Sequence, residues 1–308
     1  MAILIAIDHG NDSIKTENHR FRSGLTVHKA QPSMSEGLLE YNGLYYTLSN
    51  DRLPYMRNKT KDDRFFILTL FAIAKEMARR GINTPVEVDL AVGLPPEHFG
   101  PLKETFEKYF KRGSVGFVYD GKPICIVIRH VIVCPQAYAA VLAMDREIAK
   151  LPRVFIIDGG GYTIDIGLLR EGRPDMKFNR SLEEGTITMY NEIARLVNAQ
   201  HDMLINEDQI LAVLTDEEVR LPDDVVNTIK DLAFEHAKDI LHKLRELKVE
   251  LRSNPCVIMG GAAQLFKPVF DESDMVLDAR YELDSNCNVL GYIKMANNRI
   301  RKIEQQHP

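Results

Sequence analysis

The feature that most constrains this chain is an apolar run that ends at a carboxylate and turns on glycines. Val154 to Ile157 reads as a buried strand that Asp158 closes. Gly159, Gly160 and Gly161 follow, and from Thr163 to Leu169 polar and apolar residues alternate as in a second strand. The glycines therefore fall in a strand-to-strand turn. A dinucleotide-binding loop needs a helix directly after its glycines, and a P-loop needs Gly-Lys-Ser/Thr, which this sequence lacks. A glycine turn between strands serves as an ordinary tight hairpin in many sheet proteins. It can also hold phosphate, because residues without Cβ let successive backbone N–H groups approach an anion. Asp158, at the strand end, is then placed for a magnesium ion or its waters.

The same grammar occurs near the start. Ile3 to Ile7 is a buried strand ended by Asp8; His9, Gly10, Asn11, Asp12 and Ser13 form a turn-prone set; Ile14, Lys15 and Thr16 resume a strand. Internal repetition implies two similar units facing each other. Two opposed hairpins, each with backbone N–H groups and one Asp, would clamp a polyphosphate from both sides.

These two stretches resemble phosphate motifs one and two of the actin, Hsp70 and sugar-kinase superfamily. Val257 to Ala263, with Gly260, Gly261 and Ala262, is similar to its adenosine motif, and Val133 to Ala140 to its first connecting helix. Within the superfamily the layout is most similar to bacterial plasmid-segregation actins, the ParM/StbA family. The resemblance implies an α/β, actin-like (ribonuclease H-like) duplicated two-domain fold with a nucleotide cleft between the domains. Domain I would span 1–150, with a small outer subdomain at about 28–60; domain II would span 151–287, and 288–308 would return to domain I. It implies ATP and Mg2+ as cofactors. Gly10, Asn11, Asp12 and Lys15 would contact nucleotide in the first motif, and Gly159, Gly160, Gly161, Tyr162 and Thr163 in the second. Asp8 and Asp158 would hold the metal through water and share catalysis with Gln136. The last falls where relatives carry a water-orienting Gln or Glu, and a glutamine can orient water by donating and accepting hydrogen bonds. Without the other motifs, Gln136 reads as a polar first-turn residue with no role, after Pro135, which suits a helix start. His9 departs from the family pattern, which favours a small or polar residue there.

Other elements follow in order. Phe21 to Val27 reads as one strand, and Asn42-Gly43 as a hairpin turn between two short ones. Thr60 to Arg80 has helical spacing and stops before Gly81. Val86 to Pro95 is a strand, Pro101 to Lys111 a short helix, and Ser114 to Arg129 a hairpin turned at Asp120-Gly121. Gly185 either aims helix N–H groups at a ribose or phosphate, or is a loop glycine before an N-cap Thr186. Asp223 to Leu251 predicts a long helix on which Glu235 and Lys238 lie three apart. The Hsp70 branch uses such a Glu-x-x-Lys pair against adenosine; a solvated ion pair is the competing reading. Asp278 to Gly291 returns the chain to domain I, with Asn286, Val289 and Gly291 resembling a second connecting segment, and Lys294 to Gln306 closes it as a charged helix.

Composition bears on partners. The formal net charge of −5, with no long basic run, argues against direct nucleic-acid binding. No apolar run reaches the roughly 18 residues of a membrane span, and Asp8 comes too early for a signal peptide. Cys125, Cys134, Cys256 and Cys287 form no C-x-x-C pair, so buried thiols in a reducing cytoplasm are expected. The nine histidines show no metal-ligand spacing. The function implied is an ATP-dependent, filament-forming ATPase that drives plasmid DNA segregation and whose polymer is destabilised by hydrolysis. Its partners would be copies of itself and a DNA-binding adaptor at a centromere-like plasmid site. The alternatives are a small-molecule kinase, which needs an acidic base where this chain has Gln136, and a rod-shape bacterial actin. An Hsp70-like chaperone is disfavoured, since too few residues follow Gly261 for a peptide-binding domain.

Overall fold

The computed structural model describes residues 2–33, 36–144 and 146–306. The chain divides into two compact units, Met1–Met144 with Asn286–Pro308, and Asp145–Ser285.

The first unit runs β1 (Ile3–His9), β2 (Ser13–Lys15), β3 (Arg20–Arg22), β4 (Leu25–His28), β5 (Leu39–Tyr41), β6 (Leu44–Leu48), α1 (Arg64–Arg80), β7 (Val86–Leu94), α2 (Pro96–Phe110), β8 (Ser114–Tyr119), β9 (Lys122–Pro135) and α3 (Tyr138–Met144). Among the described residues its strands form one nine-stranded sheet, ordered β3-β2-β1-β7-β9-β8-β5-β6-β4. β1, β7 and β9 are parallel, so their C-terminal ends, at His9, Leu94 and Pro135, lie along one edge. These strands are apolar at nearly every position because both faces are covered. Ile5, Ile7, Leu90 and Val92 face the core with α1, while Ala6, Ala91, Ile132 and Cys134 pack with the chain's last helix.

The second unit runs α4 (Arg146–Ala149), β10 (Arg153–Gly159), β11 (Ile164–Arg170), β12 (Arg173–Pro174), β13 (Arg180–Leu182), α5 (Thr186–His201), α6 (Glu207–Leu214), α7 (Asp223–Glu246), β14 (Cys256–Gly260), α8 (Ala263–Asp271) and β15 (Ala279–Tyr281). Its sheet is ordered β12-β11-β10-β14-β15, with β13 also on β11. β10 lies between an antiparallel hairpin partner, β11, and a parallel neighbour, β14, as β1 lies between β2 and β7. α7 and α8 build a core on this sheet, and α5, α6 and α7 enclose a second. α9 (Cys287–Gln306) then completes the first unit.

Several expected elements take other bounds. Phe21 to Val27 is two strands, not one: β3 pairs with β2 while β4 pairs with β6. The chain breaks between them because Ser23 N–H turns to Asp12 O and Gly24 O accepts from Ser49 N–H. α1 starts at Arg64 rather than Thr60, and α2 starts at Pro96 rather than Pro101, proline being favourable in a first turn. α7 stops at Glu246, short of Leu251. Lys248, at φ 62°, takes the left-handed position that glycine usually fills, and Val249 N–H caps Leu244 O. α9 starts at Cys287, seven residues before the expected Lys294, because Val289, Tyr292, Ala296 and Ile300 repeat at helical spacing against the sheet.

His9, the departure from the family pattern, points into the first core. It is fully buried, stacks on Phe110 with ring centroids 4.9 Å apart, and its Nε2 lies 2.8 Å from Thr69 Oγ1. The Thr69 hydroxyl already donates to Phe65 O, so Nε2–H must be the donor to Thr69. Burial and the nearby Lys59 push the imidazole down to about 3. A histidine held neutral in the fold favours folding fully above its unfolded value near 6.5. That contribution is lost progressively as pH falls from 6.5 towards 3, since the unfolded chain then binds the extra proton. In proton NMR, the His9 imidazole resonance, assigned with a His9→Gln variant, should not titrate between pH 8 and 5. A midpoint near 6.5 would contradict this packing.

Candidate functional site

In the first unit, Gly10 N–H donates to Ser13 O at 3.1 Å and closes a two-residue turn of Asn11 and Asp12. Asp8 sits opposite Lys15 across the ladder, so both side chains emerge on one face. The turn is held from behind. Ser23 Oγ–H donates to Gly10 O at 2.6 Å, and the Lys59 ammonium donates to the His9 carbonyl. Asn11 Oδ1 accepts from Met56 N–H at 3.4 Å, and Asp12 accepts from Arg52 Nε at 2.7 Å with Arg20 3.6 Å away. The side chains of Asn11 and Asp12 thus anchor residues 52–56, and backbone is what these two residues offer a ligand.

Asp8 is 6% exposed and accepts from Gln136 Nε2 at 2.7 Å. Gln136 is not at a helix N-terminus, as Pro135 had suggested. Val133 to Pro135 are still strand, because Leu94 continues to pair with Pro135, and Gln136 N–H donates to Leu94 O at 2.8 Å. Ala137, at φ 61°, then turns the chain into α3 at Tyr138. Gln136 therefore stands on a strand-to-helix turn at the C-terminal edge of the parallel strands, beside Asp8.

The second hairpin repeats the first. Gly160 N–H donates to Thr163 O at 2.8 Å and closes a turn of Gly161 and Tyr162. Asp158 is half-buried and faces Asp165 across the ladder; Asp165 accepts from Ser181 Oγ at 2.7 Å and Thr163 Oγ1 at 3.2 Å. Three glycine segments meet here. Gly159 pairs in register with Gly260, and Ala262 N–H donates to Gly159 O at 3.2 Å. A Cβ at Gly185 would overlap the Gly161 carbonyl. Gly185 is itself the N-cap of α5 and Thr186 its first residue, so of the two readings the helix does begin at Gly185 and Thr186 is not its N-cap. The N–H groups of Thr186 and Ile187 donate to Gly160 O (3.0 Å) and Gly161 O (2.7 Å). The start of α5 thus braces the hairpin; those two amides do not serve a ribose or phosphate.

Gly159 to Thr163, Gly185 and Gly260 to Ala262 are therefore brought together in the second unit, as Asp8, Gly10 to Asp12, Lys15 and Gln136 are in the first. Glu235 and Lys238 stand apart. They pair with each other at 2.9 Å on an exposed face of α7, with the Lys238 ammonium 4.5 Å from the Phe234 ring centroid. Among the described residues their side chains make no hydrogen bond to the glycine loops. Among the described residues, no group of three or more His, Cys, Asp or Glu could hold a metal ion. The carboxylate at the end of each hairpin is the kind of oxygen donor that Mg2+ takes beside its waters and phosphate oxygens. The residue missed in the sequence is Asn288, the buried partner of Ala137 N–H at 2.8 Å. Its signal was a lone amide inside the apolar run Cys287 to Leu290.

Comparison with known proteins agrees with this geometry. Residues 6–138, which include the first hairpin and Gln136, match the family model for the N-terminal domain of actin-like proteins. Solved structures match nearly end to end. The archaeal actin homologue Ta0583, in complex with ADP, is 17% identical with a TM-score of 0.72, covering 97% of this chain and 100% of its own. A 15-stranded ParM filament from Clostridium botulinum gives 18% and 0.74, covering 96% and 99%. The actin-like protein Alp7A gives 14% and 0.77, covering 98% of both chains. The fold is actin-like. At these identities the structural likeness establishes the fold alone. No protein of curated function matches the sequence.

For this actin-like fold the informative position is Gly160. A Cβ there would meet only Thr163 O, at a tight 3.2 Å that a shift of a few tenths of an ångström relieves, and it would stand where an anion would approach the turn. Gly160→Val should melt within a few degrees of the wild type and show no ATP binding by calorimetry. Tight ATP binding by the folded variant would rule this hairpin out as a phosphate site.

Proposed function

We propose that this actin-like protein is an ATP-dependent, filament-forming ATPase that serves plasmid DNA segregation, its polymer destabilised by hydrolysis. The observation that carries the reading is the Gln136–Asp8 contact at the end of a glycine hairpin that recurs in the second unit. Gln136 Nε2 is committed to Asp8, so its carbonyl Oε1 is the atom that accepts a hydrogen bond from a water and turns the water's lone pair towards the γ-phosphorus. The water's oxygen bonds to that phosphorus, the bond to the ADP oxygen breaks, and a proton leaves with the inorganic phosphate. No strong base is needed for such a step, only position. Backbone N–H groups of the turns at Gly10 to Ser13 and Gly160 to Thr163 are offered to the phosphates, and Lys15 adds a cation on the face of Asp8. Mg2+, held through water by Asp8 and Asp158, would neutralise charge on the phosphate oxygens.

The filament assignment is supported by likeness to a ParM filament and to a second filament-forming relative, Alp12, at 14% identity and a TM-score of 0.68. A net charge of −5 suits a DNA contact made through a basic adaptor rather than by this chain. Cys134, Cys256 and Cys287 are buried free thiols, in keeping with a reducing cytoplasm. Among the described residues no helix is long and apolar enough to cross a membrane.

Gln136→Ala removes a hydrogen bond to Asp8 but no backbone donor of either hairpin, so it should bind Mg-ATP close to the wild type while hydrolysing it about 10² to 10⁴ times more slowly. Sedimentation should show the variant in persistent polymer, and the wild type in polymer that dissolves as ATP is spent. Wild type that never pellets with ATP at micromolar concentrations, and releases phosphate only when a hydroxyl acceptor is added, would make the protein a small-molecule kinase instead.

A further inference from the structure

The turn that carries Gln136 is held in an unfavourable conformation. Ala137 has φ 61°, in the left-handed region that costs a residue with a Cβ, and Tyr138 N–H donates back across it to Gln136 O at 2.6 Å. Strain of this kind persists only where the surroundings over-determine it. Here they come from α9. Ala137 N–H donates to Asn288 Oδ1 at 2.8 Å, with Ala137 2% and Asn288 7% exposed. α9 passes close enough for this because it has no side chain at Gly291, where a Cβ would overlap the Ala139 carbonyl. On its other side Gln136 is fixed by Leu94 O and Asp8.

We propose that Asn288 is a positioning residue for hydrolysis: by accepting Ala137 N–H it keeps the turn left-handed and so aims the Gln136 carboxamide. The inference rests on the reading of Gln136 as the water-orienting group. Without the Asn288 acceptor, a buried N–H is left unpaired in that turn. Ala137 then relaxes to negative φ, and the Gln136 side chain swings from Asp8.

The test compares wild type, Asn288→Ala, Gln136→Ala and the double variant for ATP affinity, KM and kcat. Asn288→Ala should bind Mg-ATP within about twofold of wild type and keep its KM, while kcat falls at least about tenfold. Because Asn288 acts through Gln136, the double variant should be no slower than Gln136→Ala alone. Adding Ala137→Gly to Asn288→Ala should restore part of the lost turnover, since glycine adopts positive φ without strain. A purely structural role predicts a lowered melting temperature, additive losses and no rescue. Wild-type turnover by Asn288→Ala, or additivity in the double variant, overturns the proposal. If Asn288→Ala does not fold, Asn288→Asp, which keeps the acceptor oxygen, is read instead: turnover within about twofold of wild type supports it, and a tenfold loss with normal ATP binding contradicts it. Slow Gln136→Ala beside fast Asn288→Ala sinks this inference alone. Normal turnover by Gln136→Ala, or none by wild type, sinks the parent reading and this one together.

Discussion

One backbone hydrogen bond, made twice, sets the rest: Gly10 N–H to Ser13 O and Gly160 N–H to Thr163 O. Each closes a two-residue turn where a buried strand, parallel to one neighbour and antiparallel to the next, runs out. A strand buried on both faces carries a carboxylate either paired with a cation, as Asp89 of β7 is with Arg129, or near its end, where water or a ligand can solvate it. That is where Asp8 and Asp158 stand. The tight turn then brings backbone dipoles to the same edge, so acid and amide donors arise together from strand geometry rather than from separate design.

The two copies have diverged in how they are braced. In the second unit the support is backbone, with α5 and the β14 loop hydrogen-bonded directly to Gly159, Gly160 and Gly161. In the first, side chains do most of it: Ser23, Arg52 and Lys59 engage the turn, the Asn11 side chain accepts from Met56 N–H, and His9 locks the strand end into an aromatic core. The first unit alone carries Gln136, and α9 reaches back to hold the turn on which it stands. A histidine in a phosphate-type motif is thereby accounted for by packing: its ring is spent on Thr69 and Phe110, leaving the turn to glycine and backbone.

Much of this was legible in the sequence where the cause is local. Apolar runs, glycine turns and the stop at Gly81 depend on neighbours a few residues away, and the hairpins at Asp8 and Asp158 followed from them. What stayed hidden depends on partners far along the chain. The split of Phe21 to Val27 needs Asp12 and Ser49; the strand that runs on to Pro135 needs Leu94; the left-handed Ala137 needs Asn288. α9 began early for a related reason, since Val289 and Tyr292 are apolar only in a way that a covered sheet explains. Among site residues, the partners of the Asn11 and Asp12 side chains, Met56 N–H and Arg52, lie some forty residues along the chain and were equally hidden.

The central claim is that these two glycine turns receive phosphate, and glycine-selective 15N NMR addresses it residue by residue. The sequence has 19 glycines, and the titrant is Mg-ADP. On titration the amide signals of Gly10, Gly160 and Gly161 should move furthest. Those of Gly81, Gly113 and Gly121, which end a helix, precede β8 and turn an outer hairpin, should stay in place. Saturable nucleotide binding that leaves Gly10, Gly160 and Gly161 unmoved would contradict the account.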